Sequence, residues 1–114
     1  MGVRLMSSCV DAANVVLDHV PLPDELVAAG APTTGHRDLA SLSDLTIGVW
    51  EHTPGISRDV EADEVFVVLS GDASVAFDDG SPTIELRPGS LVRLSAGQRT
   101  TWTVRETLRK VFVA

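Results

Sequence analysis

The chain has 114 residues, a formal charge of −7 at pH 7 and one cysteine, Cys9. This length suits one domain that can bury a hydrophobic core without disulfides. Nine basic residues against 16 acidic ones argue against a nucleic acid or an anionic membrane as the partner, since both require a concentrated positive field. Because no apolar run approaches the roughly 20 residues of a membrane-spanning helix, we expect a cytoplasmic protein.

The first part of the chain, residues 1–44, has weak helical or irregular patterns and is predicted to form an N-terminal extension. Periodicity does not decide between a helix and a strand at 10–17. A short helical turn is predicted at 24–29, because Pro23 pre-sets the backbone of a first turn and Gly30 can end it.

The second part, residues 45–114, consists of short apolar runs separated by glycine, proline and aspartate. Such runs at spacings of about 8–12 residues predict an all-β barrel or sandwich. A turn is predicted at Ser70-Gly71-Asp72. The predicted strands span 45–52, 64–69, 73–77, 83–86, 90–94, 100–104 and 108–113.

Two spacings in this second part resemble the two sequence motifs of the cupins, which are small jelly-roll β-barrels. Glu64 is followed after six residues by Gly71, as in the second half of the first motif. Gly89 is followed after five residues by Ser95-Ala96-Gly97, where the second motif has Pro-x-Gly. The resemblance implies an all-β jelly-roll barrel at 45–114, preceded by a short helical or irregular segment.

A closer resemblance lies at residues 48–55, which read Gly-Val-Trp-Glu-His-Thr-Pro-Gly. This is similar to the Gly-x-Trp-Glu-Cys-Thr-Pro-Gly signature of the ureidoglycine aminohydrolase-like cupins, and the similarity covers roughly residues 20–114. Cupins commonly pair through sheet edges and an exchanged N-terminal strand, so the resemblance also implies a homodimer. The aminohydrolase is a two-cupin, metal-dependent protein, whereas this chain has one cupin unit.

The metal ligands of the cupins are largely missing here. In metal-binding cupins, three imidazoles and one carboxylate converge inside the barrel. Neither of the two possible motif spacings puts a histidine at the first two ligand positions, which with the shorter spacing fall on Arg58 and Val60. The third falls on Thr100, and only Glu64 keeps a ligand position. We therefore predict no metal and no other cofactor.

Glu64 and His52 are the candidate catalytic residues. A carboxylate inside an apolar barrel requires a hydrogen bond or a cation, and Arg58, Arg109 and Lys110 are the candidate partners of Glu64. Glu64 then forms either a structural salt bridge or a ligand contact or general base. His52 faces the interior if Trp50 does, because strand side chains alternate.

Three roles stay open for His52: a strand-end histidine that faces solvent or bonds a backbone carbonyl, a His–Glu pair with Glu64, and a metal ligand.

The two tryptophans are predicted either to fill the hydrophobic core or to form the walls of a ligand pocket. The acidic run at 59, 61 and 63 is predicted to be a solvated loop face. Lys110 is the only lysine, but no sequence neighbour indicates the desolvated setting that Schiff-base chemistry needs. The candidate ligand-binding residues are Trp50, Arg58, Thr100, Trp102 and Lys110.

The function predicted from these residues is the binding of a small polar molecule inside the barrel, without a metal. Two alternatives remain. The first is an enzyme that acts on a carbon–nitrogen bond, as the resemblance implies, and the second is a structural subunit of a homodimer. Fold alone does not decide among them.

Overall fold

The computed structural model describes residues 9–114 and shows a chain of β-strands with one short 3-10 turn, η1. The first eight residues of the predicted N-terminal extension lie outside the described residues. In residues 9–114, no helix is long and apolar enough to cross a membrane. The elements are β1 (Val20–Pro21), η1 (Asp24–Leu26), β2 (Val27–Ala29), β3 (Thr33–Leu42), β4 (Leu45–His52), β5 (Gly55–Val60), β6 (Glu64–Phe77), β7 (Ile84–Leu86), β8 (Leu91–Leu94) and β9 (Arg99–Val113).

The longest strand, β9, organises the antiparallel sheet. Along one side it pairs with β6. Along the other side its first half pairs with β5 and its second half with β4. Strands β3 and β1 continue the sheet beyond β4, β2 continues it beyond β5, and β7 and β8 pair with β6. The predicted all-β class is therefore confirmed, and the strands enclose one main core that includes Phe66, Trp102 and Leu108.

The turn predicted at Ser70-Gly71-Asp72 is instead a bulged region inside one long strand. The pairing of β6 with β9 shifts register at three places between Val68 and Ala73, and such bulges bend a strand without ending it. Gly71 has a φ of 106°, and a Cβ there would collide with the backbone of Thr107 and Leu108. Both halves of β6 can therefore stay paired with the same partner strand.

The N-terminal part also differs from the expectation. The helical turn predicted at 24–29 is a 3-10 turn that passes directly into β2. The end of the predicted extension forms β3, which pairs with β4 over eight positions, so the sheet begins before residue 45. Residues 10–17 contain no helix or strand.

The two faces of β4 and β9 bury different partners, because neighbouring side chains in a strand point to opposite sides. On the inner face, Trp50 packs against the main core. On the outer face, Val49 forms a second core with Leu17 and Leu39, against which Val10 and Val15 pack. The first described residues thus cover the outer face of the sheet of their own chain.

We expect Gly71→Ala to lower the free energy of unfolding by at least about 2 kcal/mol, because the new methyl group adds a backbone clash to an unfavourable φ. The matched control is Gly89→Ala, which has a φ of 93° but open space around the new Cβ. We expect this control to cost about 1 kcal/mol. Urea unfolding of both variants measures the difference, and equal losses would contradict the close approach at Gly71.

Candidate functional site

A cavity of about 240 Å³ lies against the inner face of the sheet. Its wall combines aromatic rings with carboxylates and one ammonium group, which is the composition expected of a small-molecule site. The lining residues are His36, Trp50, Asp59, Glu61, Glu64, Trp102, Lys110 and Phe112.

Lys110 is the cation of this cavity and is 5% exposed. Its Nζ donates a hydrogen bond to Glu64 Oε2 over 2.6 Å. Burial lowers the pKa of Lys110, and the opposing charge of Glu64 offsets part of that effect. Of the three cations predicted as possible partners of Glu64, the structure therefore selects Lys110.

Three aromatic rings surround the Lys110 ammonium. Nζ lies 4.3 Å from the ring centre of Phe66, 4.5 Å from that of Trp50 and 5.0 Å from that of Trp102. Each ring face attracts a cation through its quadrupole, and the attraction grows when water is excluded. The aromatic rings and Glu64 together compensate for the hydration that the ammonium loses.

Glu61 also belongs to the cavity, which the sequence analysis missed. Its Oε2 accepts hydrogen bonds from Thr100 Oγ1 at 2.6 Å and from Trp102 Nε1 at 3.0 Å. Asp59 lines the same cavity, and burial together with the charge of Glu61 raises the pKa of Asp59. Asp59 borders the cavity but is exposed, and so is Asp63, which binds the Arg93 guanidinium and the Ala96 amide. Of the three acids predicted to form a solvated face, only Glu61 is half-buried and departs from the prediction.

A signal for this arrangement was present in the sequence. Positions 59 and 61 are separated by two, so side chains in an extended segment there point to the same side. The segment continues β5, whose last residue, Val60, pairs with Arg99, while the Glu61 amide donates to the Gln98 carbonyl.

His52 is buried, but it does not meet Glu64. Its Nδ1 lies 2.6 Å from the Thr53 carbonyl oxygen and its Nε2 lies 2.9 Å from Ser57 Oγ. A carbonyl can only accept, so Nδ1 carries the proton and Nε2 of the neutral ring accepts from the Ser57 hydroxyl. Burial lowers the pKa of His52, and the charge of Lys110 lowers it further. The geometry agrees with the carbonyl-bonded alternative and not with the His–Glu pair.

Four of the five predicted ligand-binding residues lie together: Trp50, Trp102 and Lys110 line the cavity, and Thr100 bonds Glu61 beside it. Arg58 does not join them. It is exposed and follows the buried Ser57 in β5, so it points to the opposite side.

Arg109 likewise lies on the outer face, where it binds Glu51 at 2.8 Å and the carbonyls of Ala12 and Val15. Glu51 also bonds His19, at 2.6 Å. These contacts hold the segment before β1 against the sheet.

The side chains present do not fit the metal centre of the cupins. Within residues 9–114, no three or more side chains of His, Cys, Asp or Glu are grouped so that they could hold a metal ion. The cavity contains carboxylates, but an ammonium group already binds Glu64 at hydrogen-bond distance, and a protonated amine has no lone pair for a metal.

The sequence from residue 39 to residue 112 matches the family model of the EutQ-like cupin domain. The chain belongs to this family. No curated protein sequence matches it at a significant level. The family agrees with the predicted cupin resemblance, and with it the jelly-roll fold is confirmed.

Solved structures with the same fold include two EutQ proteins. EutQ from Clostridium difficile is 20% identical, with a TM-score of 0.61, and the match covers 72% of this chain and 67% of that one. A putative ethanolamine utilization protein Q from Salmonella typhimurium is 14% identical, with a TM-score of 0.62 and coverage of 89% and 96%. Ectoine synthase from P. lautus is 17% identical, with a TM-score of 0.61 and coverage of 70% and 62%. At these identities the similarity shows the fold alone.

We expect the free energy of unfolding to fall as the pH drops below about 6.5, because His52 is held neutral in the folded chain. Between its lowered folded pKa and the unfolded value, the unfolded chain binds a proton that the folded chain does not. The slope from this one group is at most about 1.4 kcal/mol per pH unit. Urea unfolding between pH 7.5 and 5.5 measures it.

In that experiment His52→Gln removes part of the slope, and the matched control is His36→Gln, at an exposed position. A slope that is the same in wild type and His52→Gln would contradict a neutral His52.

Proposed function

We propose that this cupin binds a small polar molecule in the cavity beside Lys110. The observation that supports the proposal is the composition of the cavity wall. Two tryptophan rings stand beside three carboxylates and an ammonium on the inner face of the sheet. Binding pockets combine apolar walls with a few polar groups that orient the ligand.

The size of the cavity favours a small ligand. At about 240 Å³ it is below the roughly 300–1,000 Å³ of pockets that hold drug-sized molecules. The planar rings of Trp50 and Trp102 favour a ligand whose apolar part is flat or is a short aliphatic chain.

The charges of the cavity favour a ligand that donates hydrogen bonds. Asp59, Glu61 and Glu64 outnumber Lys110, and an ionised carboxylate only accepts hydrogen bonds. Hydroxyl and N–H groups on the ligand would satisfy these oxygens. An anionic ligand is disfavoured unless it binds Lys110 directly.

The signature at 48–55 supports a second candidate, an enzyme that acts on a carbon–nitrogen bond like the ureidoglycine aminohydrolase-like cupins. Trp50 of that signature lies in the cavity wall, so the most similar segment contributes to the proposed site. Without the family's metal ligands, such a reaction would have to use Glu64 and Lys110 for proton transfer.

Both tryptophans of the chain line the cavity, so intrinsic fluorescence reports on its occupancy. We expect at least one member of a panel of small alcohols, amides, amino acids and ureidoglycine to change the emission and to raise the melting temperature. Glu61→Gln is expected to weaken that binding by about tenfold or more, because a hydrogen bond to a charged group is lost.

The matched control is Glu85→Gln, at an exposed carboxylate of β7 away from the cavity, and it should leave binding unchanged. Release of ammonia from ureidoglycine would favour the enzyme over the binding protein. A panel without any effect on fluorescence or melting would contradict both.

We also propose that the protein is a homodimer, as the resemblance implies, and that it is cytoplasmic, as expected from its sequence. The exposed apolar side chains Leu45 and Val65 border a surface hollow next to Val113, and burial of such a patch favours association. Light scattering across a range of concentrations measures the mass. A monomer at every concentration would contradict the dimer.

A further inference from the structure

We propose that Lys110 is a reactive amine that forms an imine with small aldehydes or ketones in the cavity. This rests on the proposed function, because the carbonyl compound must first enter the same cavity. The sequence offered no desolvated setting for this lysine, but the structure provides one from residues that are distant in the chain.

The first argument is placement. Lys110 lies on β9 with its side chain 6% exposed, and it lines the cavity. A surface lysine is a weak nucleophile because solvated ammonium holds its proton. A desolvated lysine is the usual form of an imine-forming residue.

The second argument is a proton acceptor at bonding distance. Glu64 Oε2 is 2.6 Å from Nζ, within the reach required of a general base. Burial lowers the pKa of Lys110 and so favours transfer of the proton out of the ammonium group.

The third argument is that the surroundings suit the product. A protonated imine keeps the single positive charge of the ammonium, so the three aromatic rings and Glu64 that hold Lys110 can also hold the product. Imine formation therefore leaves the net charge of the cavity unchanged.

The step balances without any other reactant. Glu64 takes a proton from Nζ, and the freed lone pair forms a bond to the carbonyl carbon while the carbonyl π electrons move to oxygen. This oxygen then takes a second proton from Nζ, which gives a neutral carbinolamine. The C–O bond of this carbinolamine then breaks, the oxygen leaves as water with the proton that Glu64 returns, and the C=N bond forms. One ammonium and one carbonyl compound thus give one protonated imine and one water.

The chain makes the test unusually clean, because Lys110 is its only lysine. The protein is incubated at neutral pH with propanal and sodium cyanoborohydride, which reduces the imine to a stable propyl-amine. Mass spectrometry of the intact protein and of its peptides separates a label on Lys110 from one on the N-terminal amine. We expect Lys110 to be labelled at least about tenfold faster than Nα-acetyl-lysine amide, because the desolvated amine is less protonated.

Unfolding separates this role from a structural one in the wild-type chain. In guanidinium chloride, we expect labelling of Lys110 to slow to the rate of Nα-acetyl-lysine amide. A lysine that serves only as a buried ion pair would be protected in the folded state and labelled faster after unfolding, and that result would overturn the proposal.

Variants add a second comparison. Glu64→Gln removes the group that returns a proton to the leaving oxygen and should slow labelling of the folded protein by about 100-fold. The loss of the Glu64 charge lowers the pKa of Lys110 further, but this assists only the first proton transfer. Glu85→Gln should not change the labelling rate. Propanol, which has no carbonyl group, serves as the binding probe in the fluorescence assay. Fluorescence changes with propanol but no label on Lys110 would overturn the imine alone. No response to propanol, to propanal or to any member of the small-molecule panel would overturn the proposed binding as well.

Discussion

The ammonium of Lys110 in the barrel interior is the interaction on which the candidate site depends. An unpaired charge there would be costly because the protein interior solvates it poorly. Here Glu64 accepts its hydrogen bond, and the rings of Trp50, Phe66 and Trp102 face it within 5.0 Å. Removing any of these groups would leave part of that desolvation uncompensated.

The same constraint explains why the described side chains of this polar site do not fit the metal centre of the cupins. Glu64 occupies the one metal-ligand position of the cupin motifs that this chain retains. Its partner is the ammonium group of Lys110. A second carboxylate, Glu61, is held by Thr100 and Trp102. The cavity therefore combines an amine with hydrogen-bonded carboxylates, which can bind polar groups and move protons but match no imidazole-based metal site.

Neighbouring side chains of β9 point to opposite faces of the sheet, so the cavity and the outer face share this strand. Lys110 and Arg109 are neighbours in β9, yet one lines the cavity and the other binds Glu51 and the carbonyls of Ala12 and Val15. Each cation meets its own carboxylate on its own side of the sheet. The segment before β1 thus packs against the outer face of the strand whose inner face carries Lys110.

The sequence by itself determined the class of fold and part of the site. Strand β4 matches its predicted bounds at 45–52, since turn residues mark both ends, and the spacing from Glu64 to Gly71 correctly pointed to a cupin. Glu64 was named from its place in the cupin motif, Trp50 and Trp102 from the resemblance to the ureidoglycine aminohydrolase-like cupins, and Lys110 as a possible cation for Glu64.

Only the tertiary structure decided which of these residues meet. The partner of Glu64 lies 46 positions away, and the choice among three cations depends on which face of each strand they occupy. The bend at Gly71 and the inward position of Glu61 likewise depend on β9, whose backbone and side chains supply their contacts. Local sequence patterns reveal the alternation of side chains in a strand. The burial and the pKa of Lys110, however, are set by residues that are distant in sequence.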